Sequence, residues 1–258
     1  MNAKSLQTAL QDIPLGGFRY LKQVDSTNDI ALNWMEEGGQ DFSLVIANEQ
    51  IKGRGRDGRS WQTPPDSALA FSLLLLPSIE EAKNISLFTG LGALALVDAL
   101  REHYELDAKI KWPNDVLVDE KKLAGILVEA NWHGDKIKSI VLGMGVNVYA
   151  NSVPDDVLFP ATSLEESRPD SFNKPIRSLL LYQILEAFIK RRPSLGRGNL
   201  HNAWEENLAF RGKQVEVTSG NGQVIQGKVL GINLDGSLRL DTHQSIHFGD
   251  VHLRPMRL

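Results

Sequence analysis

Residues 53–61 of this 258-residue chain read Gly-Arg-Gly-Arg-Asp-Gly-Arg-Ser-Trp. Glycines let backbone N–H groups come close to a ligand and accept positive φ. Arginines carry a permanent, forked charge that matches carboxylate and phosphate. A terminal tryptophan adds a flat face for a ring. The run asks for an anionic ligand with an aromatic group, and a nucleotide fits. The same composition also suits a solvated basic loop or a nucleic-acid-binding segment. A net charge of −4 argues against the last, because a dedicated nucleic-acid-coating chain is basic overall.

Three other stretches carry chemistry. Residues 109–115 read Lys-Ile-Lys-Trp-Pro-Asn-Asp. They are followed by a strand at 116–118, a hairpin turn at 119–121 and a return strand at 122–130. Asp115 and Lys122 then lie on neighbouring strands. Asp115 could hold Mg²⁺, and Lys122 could neutralise a phosphoryl or carboxylate oxygen; a turn aspartate and a surface lysine fit the same pattern. Ser26-Thr27-Asn28 sits at a strand-to-helix junction, where N–H and hydroxyl groups bind small polar ligands. Ser26 with Asp29 also reads as a capping box. Residues 143–147 read Gly-Met-Gly-Val-Asn. Alternate glycines mark a strand pressed against backbone or ligand, and Asn147 offers the donor and acceptor that adenine needs.

The elements that must position these groups follow from periodicity. A short helix at 5–12 precedes a strand at 18–24 and a helix at 28–37. Buried strands at 44–47 and 68–76 flank the Gly/Arg connection, whose few apolar anchors predict mobility without ligand. A long helix at 85–104 has Leu87, Leu91, Leu94, Val97 and Leu100 as its core stripe, with Gly90 and Gly92 as close-packing points. A strand at 137–144, a polar loop at 151–175 and helices at 177–191 and 195–207 follow. Beyond 209 the pattern becomes short strands split by turns at 220–222, 235–236 and 249–250, which indicates a small β-barrel. The division expected is 1–209 and 210–258.

Hydrophobic residues make up 42% of the chain, which argues for a sizeable core. There is no cysteine, which excludes disulfides, thiolate nucleophiles and cysteine metal sites. His243, His247 and His252 show no metal-ligand spacing. Neither a secretory signal nor a bilayer-length apolar run is present, so a cytoplasmic protein is expected.

Taken together, GRGRDGRSW (53–61), KWPND (111–115), KLAGILVE (122–129), GMGVN (143–147) and Ser26-Thr27-Asn28 resemble the biotin–protein ligases. The resemblance implies an α+β fold: a mixed sheet core backed by helices, class II synthetase/lipoate ligase-like, with a C-terminal SH3-like barrel. It implies an ATP-dependent ligase that makes biotinyl-5′-AMP and passes biotin to a lysine of a carrier domain of a biotin-dependent carboxylase. By motif position, Ser26, Thr27, Asn28, Gln50, Gly53, Arg54, Arg56, Lys122 and Gly125 would contact biotin. Arg54, Arg56, Arg59, Trp61, Asn114, Lys122 and Asn147 would serve ATP, with Trp61 stacked on adenine. Lys122, Arg56 and Asp115 would be catalytic, and Asp115 would bind Mg²⁺ or assist the attacking amine. Many bacterial members carry an N-terminal DNA-binding domain; here the core begins near residue 18, so a ligase without DNA binding or membrane contact is expected. A homodimer fits the family. A lipoate–protein ligase is the alternative, which the arginine loop and KLAGIL segment disfavour.

Overall fold

The computed structural model describes residues 1–154, 159–168, 173–219, 223–242, 245–247 and 251–255. Its elements run α1 (Ala3–Ala9), β1 (Gly17–Leu21), α2 (Thr27–Glu36), β2 (Ser43–Ala47), β3 (Ala68–Leu75), α3 (Ile79–Ala82), α4 (Phe88–Tyr104), β4 (Lys109–Lys111), β5 (Asp115–Val118), β6 (Lys121–His133) and β7 (Lys136–Asn147). Then come α5 (Leu164–Ser167), α6 (Arg177–Arg191), α7 (Gly198–Glu206) and the strands β8 (Gln214–Ser219), β9 (Val224–Ile232), β10 (Leu238–Leu240), β11 (Ser245–Ile246) and β12 (Val251–Pro255).

The main sheet has seven strands in the order β1-β2-β3-β7-β6-β5-β4. Only β1 and β2 run parallel. The remaining neighbours are antiparallel. Strand side chains alternate between faces. Leu44, Ile46, Leu73, Ile140 and Leu142 join the large core shared with α4 and α6. Val45, Leu74 and Val141 pack instead on Ala31 and Met35 of α2. The sheet is thus covered on both faces, which explains why β2 and β3 read as continuous apolar runs.

Gly90 and Gly92 act as close-packing points: a methyl group at Gly90 would collide with the buried Trp204 ring, and one at Gly92 would press on Leu142. The helix expected from residue 85 opens with a 3₁₀ turn, Ile85–Leu87, before α4. At the other junction the capping box does not form. Ser26 occupies the N-cap of α2 without a side-chain cap bond, and Asp29 pairs with Arg54 instead.

The C-terminal strands form a separate antiparallel sheet ordered β11-β10-β9-β8-β12, consistent with the small barrel expected. The expected turns at 220–222 and 249–250 lie outside the described residues. The turn at 235–236 is present, with Gly236 at φ +83°, a conformation that favours glycine. It reaches into the main domain. The Asp235 carbonyl accepts from Ser86 Oγ at 2.7 Å, and the Gly236 carbonyl accepts from Trp112 Nε1 at 2.8 Å.

Candidate functional site

One face of the main sheet carries a trough of small residues. Register places Ala70 opposite Gly145, Gly145 opposite Gly125, and Gly125 opposite Asp115. The next row is Ser72, Gly143 and Leu127. Both rows face the α2 side, by alternation from Leu74 and Val141. The glycines matter because their missing side chains are filled by neighbours. A methyl group at Gly143 would collide with the Asn28 amide, and one at Gly145 with the Trp61 indole.

Strict alternation from Gly125 would send Lys122 to the opposite face. A β-bulge intervenes: Val116 pairs with Ala124 but Leu117 pairs with Lys122, leaving Leu123 as the extra residue. Leu123 enters the main core, and Lys122 turns to the trough. Re-aiming a side chain beside a site is a common use of a bulge. Lys122 Nζ lies 2.7 Å from Asp115 Oδ1, and Lys111 Nζ lies 4.0 Å from Asp115 Oδ2. Lys122 also stands 5.5 Å from the centre of the Trp61 ring, within cation–π range.

The Gly/Arg segment is an ordered hairpin. Gly55 N donates to Arg59 O, and Trp61 N to Gly53 O. The tip, Arg56–Gly58, is a single 3₁₀ turn with Asp57 at φ +56°. Aspartate tolerates this left-handed conformation better than most residues. Behind the hairpin the chain is pinned at Asp66, whose carboxyl a hydrogen bond from Arg177 holds below the usual carboxylate range.

Together these elements enclose a cleft lined by Ser26, Thr27, Asn28, Gln50, Arg54, Arg56, Arg59, Trp61, Asn114, Asp115, Lys122 and Gly125, among others. All of these were expected at a site. Gly53 and Asn147 do not line it. Gly53 is packed behind the hairpin, where its closest neighbours are the Trp61 carbonyl and the Gln50 amide. Asn147 is buried and donates to the Thr162 carbonyl at 3.1 Å, so its amide holds the 160s loop rather than presenting itself to a base.

Three further roles change. Trp61 lies on the glycine floor at Gly145 and Gly125, so it forms part of the wall rather than an open stacking platform. Its Nε1 is buried without a partner. Arg54 is held by Asp29 at 2.8 Å and by both oxygens of Glu129 at 3.0 and 2.8 Å, so its charge is matched within the protein. Asp115 fits a magnesium ion poorly. Ammonium groups stand against both of its oxygens. Of the histidines, His247 stands 3.6 Å from Asp235 in the barrel, far in sequence from the cleft; His243 and the side chain of His252 lie outside the described residues.

Two polar residues were missed. Ser72 is fully buried in β3, with Oγ 2.8 Å from Thr27 Oγ1 and 2.6 Å from Asn28 Oδ1. Glu129 Oε2 accepts from Asn28 Nδ2 at 2.6 Å. A lone serine inside an otherwise apolar strand was the available signal for the first. Glu129, the closing residue of the KLAGILVE stretch, was the signal for the second.

Residues 20–147 match the model of the Biotin/lipoate A/B protein ligase family, which defines the class. Residues 210–254 match the Biotin protein ligase C terminal domain. The chain is 33% identical over 232 residues to the Bifunctional ligase/repressor BirA of Bacillus subtilis, covering 88% of this chain and 70% of that one. It is 32% identical to the biotin--[acetyl-CoA-carboxylase] ligase of Paracoccus denitrificans, covering 85% and 92%. Among solved structures, the biotin protein ligase from Aquifex aeolicus in complex with biotin and ATP superposes with a TM-score of 0.80 at 27% identity, over 93% of this chain and 99% of that one. The chain belongs to the biotin protein ligase family.

Proposed function

We propose that this protein activates biotin with ATP and then transfers the biotinyl group to a lysine of a biotin carboxyl carrier domain. In the first step a biotin carboxylate oxygen attacks the α-phosphorus and pyrophosphate leaves. In the second the lysine amine attacks the acyl carbon, and AMP leaves as the amine loses a proton. The observation that carries this reading is the pair of lysines, Lys111 and Lys122, converging on Asp115 at the edge of a glycine-floored cleft. Two anions must meet there, and fixed cations lower that cost and stabilise charge at the reacting phosphate. Lys122 is the cation assigned to the reacting oxygens. Asp115 orients it, and is assigned to assist the acceptor amine in the second step. No protein ligand is assigned to magnesium.

Ser26, Thr27, Asn28 and Gln50 supply hydroxyl and amide partners for the ureido ring, and Gly125 leaves room for it. Arg56, Arg59 and Asn114 serve the nucleotide. The hairpin that carries the arginines is assigned to close over the mixed anhydride and exclude water. Residues 1–209 form the catalytic unit and 210–258 the barrel. The carrier lysine enters by the groove that continues from the cleft past Arg56, Thr89 and Val128. A homodimer would extend the core sheet. The β4 edge is taken, since Ile110 bonds the backbone of Asn207 and Ala209; β1 and the part of β6 beyond Ile126, which Asn114 still bonds, remain as edges. No helix among the described residues is long and apolar enough to cross a membrane, and the cytoplasm is the compartment we assign.

Pyrophosphate exchange into ATP, run with biotin, with lipoate and without acid, tests the reading. Exchange that requires biotin supports it. Exchange with lipoate assigns the other branch of the family, and no exchange with either from folded protein rejects adenylate formation.

A further inference from the structure

The residues beneath the cleft form one continuous polar chain. Arg54, at the base of the hairpin, donates to Glu129; Glu129 accepts from Asn28; Asn28 meets Ser72; Ser72 meets Thr27. Thr27 donates from its backbone N–H to Gln50 Oε1 at 2.8 Å, and Gln50 Nε2 donates to Thr63 Oγ1 at 3.3 Å. The chain therefore starts at one end of the Gly/Arg hairpin and finishes at the other.

Its proton inventory is tightly constrained. A carboxylate only accepts, so Asn28 must turn its NH₂ group to Glu129. Its carbonyl oxygen then faces Ser72, and that oxygen also only accepts. The single hydroxyl proton of Ser72 goes to Asn28 Oδ1. Ser72 now offers only lone pairs to Thr27. The Thr27 hydroxyl proton is used inside the chain, on Ser72 Oγ or on Gln50 Oε1, which lies 3.0 Å away. What Thr27 leaves for the cleft is a lone pair. Reverse the Asn28 amide and its NH₂ donates to Ser72, Ser72 donates to Thr27, and the Thr27 proton, no longer needed by Ser72, is left for Gln50 Oε1 or for the cleft.

We infer that Glu129 is a positioning residue for substrate selection: its carboxylate sets the direction of this chain, so that Thr27 accepts an N–H from a cyclic urea. The inference rests on the biotin reading. Glu129 touches no substrate on this account. It acts through Asn28, Ser72 and Thr27, and the Arg54 pairing ties the same carboxylate to the base of the hairpin.

The test compares Glu129→Gln, Ser72→Ala and Asp29→Asn with the unmodified enzyme, using biotin-dependent pyrophosphate exchange. An amide in place of the Glu129 carboxylate could donate as well as accept, and would let the Asn28 amide turn over. Ser72→Ala breaks the chain without touching Arg54. Asp29→Asn weakens only the other partner of Arg54. The expected result is a rise in KM for biotin of about tenfold or more in Glu129→Gln and Ser72→Ala, with KM for ATP unchanged, and neither change in Asp29→Asn. A second readout is selectivity for biotin over an analogue methylated on a ureido nitrogen, which a merely structural role would not move. It should narrow in both chain variants. Unchanged selectivity, or an Asp29→Asn variant that matches Glu129→Gln, overturns the inference while leaving the ligase reading intact. Failure of the unmodified enzyme to exchange with biotin overturns both.

Discussion

The two walls of the cleft are built on opposite principles. The sheet wall is buried and internally satisfied: Ser26, Thr27, Asn28 and Ser72 are all nearly inaccessible, and the side chains of Thr27, Asn28 and Ser72 each bond a neighbour inside the wall. The hairpin wall has a largely exposed tip, with Arg59, Asp57 and Gly58 all open to solvent. Its base is held by backbone hydrogen bonds, by Trp61 lying on Gly145 and by the Arg54 pairs with Asp29 and Glu129, all of them set back from the tip. A buried polar network specifies one geometry because every unsatisfied member is costly. An exposed turn with few apolar anchors opens at little cost. Recognition of a neutral ring system suits the first wall, and covering a reactive intermediate suits the second.

The walls meet at Lys122, so its removal should have the largest effect. Lys122→Ala takes away the cation we assign to the reacting oxygens and leaves Asp115 with the more distant Lys111. The expected loss in biotin-dependent exchange is about 10²–10³-fold, the usual scale for one preorganised charge-stabilising donor. Biotin binding by calorimetry should fall far less. An equal loss of both would mean that Lys122 serves binding rather than the transition state.

The fixed wall can be broken at its floor. Gly143→Ala would drive a methyl group into the Asn28 amide. Forcing a methyl into a packed site costs about 1–3 kcal/mol, and here the strain falls on a residue assigned to biotin. KM for biotin should rise by roughly tenfold or more, with the thermal midpoint lowered. A variant with lower stability and unchanged KM would show that the wall yields without losing its geometry.

The moving wall should fail differently. Arg56→Gly leaves the sheet wall untouched and removes a cation from the hairpin tip. Adenylation should persist while free biotinyl-AMP appears in solution and unrelated proteins become labelled. Quantifying intermediate in a filtrate checks this, and full retention would assign closure to other residues.

This contrast also explains what the sequence could disclose. Strands at 44–47 and 68–76 were legible because buried strands need near-continuous apolar runs, and the return strand at 122–130, with the neighbouring placement of Asp115 and Lys122, followed from a hairpin turn. The bulge that brings Lys122 onto the trough was not legible, since an extra residue in one strand leaves no mark until pairing is known. Asn147 looked like a base-reading residue because its chemistry suits both that task and the loop bond it makes. The Ser26 capping box failed for a tertiary reason: Asp29 finds Arg54, more than 20 positions along the chain. Gly145 was correctly read as a point of close approach, but only the fold shows that Trp61 is what approaches.

The smallest expected effect lies where the fixed wall is supported from outside. Trp112 lines the cleft, and its indole N–H is bound by the Gly236 carbonyl of the barrel. Trp112→Phe would keep most of the ring volume and strand that buried carbonyl, at a cost of about 1–3 kcal/mol. For a chain of this size that corresponds to a drop of roughly 2–4 °C in thermal midpoint per kcal/mol. Asp235, which shapes the turn, probes the same contact through pH. Burial pushes its carboxyl up, but hydrogen bonds from Ser237 and the nearby His247 outweigh this and hold it below the usual carboxylate range. A depressed carboxyl contributes stability above its unfolded value and loses it as pH falls through its folded value. Asp235→Asn should therefore cost stability at neutral pH by differential scanning calorimetry, and the gap from the unmodified protein should close as pH drops below about 4. If either variant changed KM for biotin as strongly as Gly143→Ala, the barrel would belong to the recognition wall itself, and the division into one fixed and one moving wall would need a third part.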